Sequence, residues 1–147
     1  MKTVAKAFAF LLLLPLSGFS QTLSGDKVPP AIEKAFKAMF TMQGEVFWTK
    51  GNDSEYDAAF TSDGKQVIAA FDKKGNWKET LREIDVLSIP DTIVQAMNKQ
   101  FTGYQIIGAM LANEKDGSKW YKLDMVNLDK EEKMLMVTPE GVVIKSE

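Results

Sequence analysis

The chain has 147 residues, 45% of them hydrophobic and 26% charged, with 18 Lys and Arg against 20 Asp and Glu and neither His nor Cys. A formal charge of −2 with no basic run makes nucleic acid and anionic membrane surfaces poor partners. The missing His and Cys exclude Ser-His and Cys-His nucleophile pairs, remove the usual zinc ligands, and leave folding without disulfides.

The N-terminal stretch MKTVAKAFAFLLLLPLSGFS places Lys2 and Lys6 ahead of an apolar run from Ala7 to Leu14, followed by Pro15 and small residues. Gly18 and Ser20 suit cleavage before Gln21, so residues 1–20 read as a secretory signal. The run is shorter than the roughly 18–20 apolar residues that span a bilayer, and no Cys follows it to carry a lipid. The expected location is therefore periplasmic or secreted, with no membrane insertion after cleavage after Ser20. Loss of Lys2 and Lys6 makes the exported chain more acidic. Residues 21–27 read as a short N-terminal extension.

Two segments then match in order, VPPAIEKAFKAMF (28–40) and IPDTIVQAMNKQF (89–101). Ile32, Ala35, Phe36, Met39 and Phe40 make one helical stripe, and Ile93, Ala96, Met97, Gln100 and Phe101 repeat it. Pro29 and Pro90 stand at the helix starts, where a missing N–H costs nothing. Ser88 and Asp91 fit a capping box, and Glu33 and Asp91 suit the positive end of the helix dipole. After each helix the apolar period changes to two. Strands are predicted at 45–50, 55–61, 66–72 and 77–83, and again at 105–112, 119–126, 133–138 and 142–147. The intervening turns are rich in Gly, Asn and Asp. Short turns imply sequential antiparallel pairing, and an apolar sheet face needs the helix as cover. The sequence thus predicts an α+β fold made of two tandem α-β-β-β-β units, 28–86 and 87–147. FDKKGNWKET (71–80) and VTPEGVVIKSE (137–147) would be their closing hairpins, with Gly75 matching Gly141.

This layout resembles the PepSY-like family of beta-lactamase-inhibitor-like proteins, many of them exported by Bacteroidota. The residues that carry the resemblance are the VP and IP helix entries, the aromatic strand VFWTK, EYDAAF, and the hairpin FDKKGNW. The resemblance implies a periplasmic tandem α/β fold with helices on one side of antiparallel sheet, and a role in binding or inhibition. It carries no functional residue onto any position of this chain.

The remaining chemistry rests on carboxylates. Asp53, Glu55 and Asp57 form the densest cluster and would be the acids of a carboxylate-dependent hydrolase. On an open sheet, however, they are expected to lack the burial that raises a pKa. Calcium loops starting at Asp53 or Asp72 fail, because Ala58 stands where Gly is required and Lys74 where a ligand is required. No catalytic, cofactor or metal site is expected. The aromatics point elsewhere. Trp48, Tyr56, Phe60, Phe71 and Trp77 can share one sheet face, with Phe47, Ala59, Ile68 and Ala70 on the other. Trp120 and Tyr121 are adjacent and must point oppositely. Met110, Met125, Met134 and Met136 read as core fillers. The leading expectation is an exported non-enzymatic module that binds a protein or peptide on a sheet face or edge, with Trp48, Tyr56, Trp77, Trp120 and Tyr121 as candidate partner-binding residues. The alternatives are an envelope structural or calcium-responsive accessory protein and the carboxylate-dependent hydrolase.

Overall fold

The two Pro-led stripes form helices α1 (Pro30–Met39) and α2 (Asp91–Gln100) in the computed structural model, which describes residues 21–23, 27–51 and 54–147. Residues 1–20, the expected signal segment, and Asp53 lie outside the described residues. Both helices enter the same way. Pro29 (φ −56°, ψ 136°) and Pro90 (φ −55°, ψ 137°) stand at the N-caps, and their carbonyls accept the first helical N–H bonds, from Ile32 and Glu33 and from Ile93 and Val94. Glu33 and Asp91 lie in the first turns, where carboxylates favour the helix dipole.

The capping box expected from Ser88 does not form. Proline holds the preceding residue extended, here Ile89 at ψ 134°, so α2 begins after Pro90 and leaves Ser88 in a 3-10 turn at Val86–Ser88. The side-chain cap on that turn comes from Asp85, whose carboxylate accepts from the Leu87 N–H at 2.9 Å.

The strands are β1 (Gln21–Leu23), β2 (Gln43–Lys50), β3 (Tyr56–Ser62), β4 (Lys65–Phe71), β5 (Trp77–Glu83), β6 (Tyr104–Glu114), β7 (Lys119–Asn127), β8 (Glu132–Val137) and β9 (Val143–Ser146). They form one antiparallel sheet in chain order. β1 replaces part of the expected extension. Its three residues carry no period of their own and are ordered by the free edge of β2, with Leu23 opposite Trp48. The other eight strands fall in two sets of four, one after each helix. Pairing of β5 with β6, from Glu79↔Glu114 to Glu83↔Met110, fuses the sets into a single sheet.

Both helices lie on the same face of this sheet. Paired residues share a face, and one row runs Phe60, Val67, Arg82, Leu111, Tyr121, Val137 from β3 to β8. Its first two members pack under α1 with Ile32 and Phe36, and its last two pack under α2 with Ile93 and Met97. The first core is aromatic, with the Phe36 ring 5.0 Å from Phe60 and 5.4 Å from Trp48 in edge-on contact. The second is aliphatic and sulfur-containing, built on Met97, Leu123, Met125, Leu135 and Val137.

The closing hairpins share their bonding. The Gly75 N–H donates to the Asp72 carbonyl and the Gly141 N–H to the Thr138 carbonyl, each at 2.9 Å, and the Asp72 and Thr138 N–H groups donate to Asn76 and Val142. Both glycines have positive φ, +87° and +83°, and each presses on its own helix. A Cβ at Gly75 would lie 2.8 Å from the Ala31 carbonyl oxygen, and one at Gly141 would lie 2.7 Å from Ala96 Cβ and 3.2 Å from the Thr92 oxygen. Thus each hairpin ends in a glycine because the helix leaves no room for a side chain.

Candidate functional site

Among the described residues, no helix covers the opposite face of the sheet, which is organised in rows by the strand registers. One row is apolar and crosses six strands: Phe47 on β2, Ala59 on β3, Ile68 on β4, Leu81 on β5, Ala112 on β6 and Trp120 on β7. Phe47 is 59% exposed at one end and Trp120 is 9% exposed at the other, with Ile68 and Leu81 half-buried between them. The row crosses the seam between the two halves without interruption.

Beside it runs a row of carboxylates. Thr49, Asp57, Ala70, Glu79 and Glu114 pair in sequence from β2 to β6. Among the described residues, no Lys or Arg lies within ion-pair distance of Asp57, Glu79 or Glu114. Burial pushes Asp57 up to about 6, and the nearby Glu55 charge adds to the shift. Glu79 is also raised, by burial first and then by Glu114, while contact with the Trp120 side chain partly offsets this. Glu114 accepts from Ser118 Oγ at 3.0 Å. The expectation that an open sheet leaves the acids of the Asp53, Glu55 and Asp57 cluster unburied is corrected for Asp57, which is half-buried and whose pKa burial raises. On the far side of the apolar row, Gln66, Glu83, Met110, Lys122, Met136 and Lys145 alternate in character. Lys122 is 3.9 Å from Asp124, and Lys145 pairs with Glu147.

The five aromatic candidates do not share one surface. Trp48 (6% exposed) and Tyr56 (8%) are packed in the core beneath α1. Trp77 packs against the same core, its indole N–H donating to Thr80 Oγ1 at 2.8 Å. Tyr121 packs against the core beneath α2. Trp120 alone lies on the open face, since strand alternation turns it away from Tyr121. The methionines divide for the same reason. Met125 is core beneath α2, and Met110 is buried too although its parity places it on the open face, where Met134 and Met136 are half-buried, opposite in parity to Leu123 and Leu135. Phe47, Ile68 and Leu81 are better surface candidates than Trp48 or Tyr56. The signal that finds them is their parity, opposite to the helix-facing residues of the same strands.

Two of the clefts among the described residues bear on the site. One of about 340 Å³ lies between α1 and β2, lined by Glu33, Phe36, Met42, Val46 and Trp48. The other, about 290 Å³, lies at the seam beside Gln66, Glu83, Val86, Ile107 and Met110. Neither is lined by Glu55 or Asp57. Among the described residues, no group of carboxylates is arranged to hold a metal ion, and no helix is long and apolar enough to cross a membrane.

The family described as beta-lactamase-inhibitor-like, PepSY-like matches residues 54–145. Solved structures share the fold. A DUF2874 family protein of Bacteroides uniformis aligns with a TM-score of 0.69 at 19% identity, covering 81% of this chain and 88% of that one. A protein of Bacteroides eggerthii described as periplasmic gives 0.70 at 16%, covering 82% and 88%. A BLIP-like protein of Bacteroides fragilis gives 0.61 at 16%, covering 81% and 84%. No curated protein sequence matches the chain. The chain belongs to the PepSY-like family.

Proposed function

We propose that this PepSY-like protein is a non-enzymatic binding module of the periplasm that holds a protein or peptide partner on the sheet face opposite its helices. The observation that carries the reading is the apolar row from Phe47 to Trp120, continuous across six strands and, among the described residues, free of helix cover. At about 4.8 Å between strands, the row is about 24 Å wide, or roughly seven residues of extended chain. Desolvating half-exposed Ile68 and Leu81 supplies affinity, and Phe47, 59% exposed, is an aromatic anchor of low entropic cost, while the already buried Trp120 closes the other end of the row. The family's inhibitor-like description favours a protein partner. We also read residues 28–86 and 87–147 as copies of one unit. The matched Pro29 and Pro90 entries and the matched hairpin bonds at Gly75 and Gly141 support that reading.

A photo-crosslinking residue placed at position 68 should trap a discrete partner in periplasmic extract. The same residue at Lys34, on the exposed side of α1, should not. Equal labelling patterns from the two positions would reject the open face as the docking surface.

A further inference from the structure

The open face is uneven in charge, and that unevenness narrows what can dock on it. The carboxylates of Asp57, Glu79 and Glu114 stand in one row immediately beside the apolar row, each half-buried. Their open-face neighbours in the same row are Thr49 and Ala70, neither of which carries charge. At this end Lys78 is engaged 3.5 Å from Glu55, and Lys50 Nζ lies 5.6 Å from the centre of the Tyr56 ring. The lysines of the opposite row, Lys122 and Lys145, each have an acid of their own. The uncompensated charge of the face is therefore negative: three carboxylates stand together on one side of the apolar row, and on the other Glu83 stands alone, accepting from the Gln66 N–H at 3.0 Å. An anionic segment would be repelled there. A purely apolar one would bury carboxylates without compensation, which costs free energy.

Building on the docking face proposed above, we infer that its occupant is a protein segment combining an aromatic or aliphatic side chain with an adjacent Arg or Lys. The apolar group lies over the Ile68–Leu81 part of the apolar row, and the cation lies over Asp57 and Glu79. The bound cation stabilises the ionised carboxylates, which burial and mutual repulsion disfavour in the free protein. Burial first and then Glu55, ahead of β3, hold Asp57 toward its neutral form, and Asp57 in turn raises Glu79 on β5; Thr49 and Ala70 on the flanking strands are uncharged.

The test is selection of short displayed peptides on the immobilised protein, followed by binding of the recovered peptides to variants at several pH values. Recovered peptides should pair an apolar residue with Arg or Lys. Their affinity should fall about tenfold on the double substitution Asp57→Asn, Glu79→Gln. It should also weaken as pH drops through about 6, where Asp57 is protonated. Phe47→Ser, at the exposed end of the row, and Ile68→Asp should weaken binding independently, with thermal melts confirming that each variant is folded. Peptides sensitive to Phe47→Ser or Ile68→Asp but indifferent to the carboxylate variant would overturn the cationic occupant while keeping the docking face. An acidic consensus would do the same. Peptides indifferent to all four substitutions, or no enrichment at all, would overturn both.

Discussion

The two halves of the molecule use one plan and two kinds of core. Under α1, Phe36 meets Phe40, Trp48, Phe60 and Phe71, with ring centroids between 5.0 and 6.5 Å apart. Under α2 the equivalent stripe position is Met97, packed on Leu123, Met125, Leu135 and Val137. The two halves nevertheless share a proline entry, four antiparallel strands, and a closing glycine against the helix. What the plan fixes is therefore geometric. Burial and the close helix–hairpin contact are required, while side-chain chemistry is free to vary if volume is kept.

Truncating the two central stripe residues should produce the largest effects. Phe36→Ala should cost about 3–5 kcal/mol and Met97→Ala about 2–5 kcal/mol in urea melts. If Met97→Ala costs less than about 1 kcal/mol, α2 does not organise the second core as α1 does the first. The glycines come next. Gly75→Ala and Gly141→Ala should each cost about 1–3 kcal/mol, because strain at positive φ adds to the clash with the helix. Gly103→Ala is the control, since Gly103 has φ +86° but nothing within 4 Å of a built Cβ. It should show the backbone cost alone, about 1 kcal/mol. Equal costs at all three sites would mean that the hairpin–helix contact contributes nothing.

A third comparison is electrostatic and of opposite sign. The pKa of Asp57 is raised on folding, to about 6, so the folded state holds a proton that the unfolded chain has released between roughly pH 4 and 6. Stability should fall as pH rises through that window. Asp57→Asn should then stabilise the protein by about 1–2 kcal/mol at pH 8, with the gain vanishing below pH 4. A flat difference across pH would show that Asp57 is ionised at no cost. The smallest effect is expected at Leu128, 95% exposed in the β7–β8 turn. Leu128→Ser should change stability by no more than about 0.5 kcal/mol.

Much of this architecture was legible in the chain. The i, i+3, i+4 stripes at Ile32–Phe40 and Ile93–Phe101, the switch to period two, and Gly75 and Gly141 placed both helices and eight strands. β1 was not legible, because three residues carry no period and their order comes from the edge of β2. The Ser88 cap failed because Pro90 moved the helix start beyond its reach. The site was harder to read. Parity along each strand separates Phe47 and Ile68 from Trp48 and Val67. Which residues align across six strands, however, depends on register shifts such as those between Gln43 and Phe47 and between Ala70 and Phe71. Those shifts are set by tertiary packing. Burial of Asp57 likewise arises from neighbours on other strands, so its local sequence suggested an ordinary exposed acid.

The ladder joining β5 to β6 has one more consequence. A stagger of a single residue there would turn every side chain of one half over relative to the other. Leu81 and Ala112 would no longer be partners, and the long greasy track would break into two short ones facing opposite ways. The width of what this protein can grip is therefore decided by backbone alignment at one junction, well away from either aromatic end.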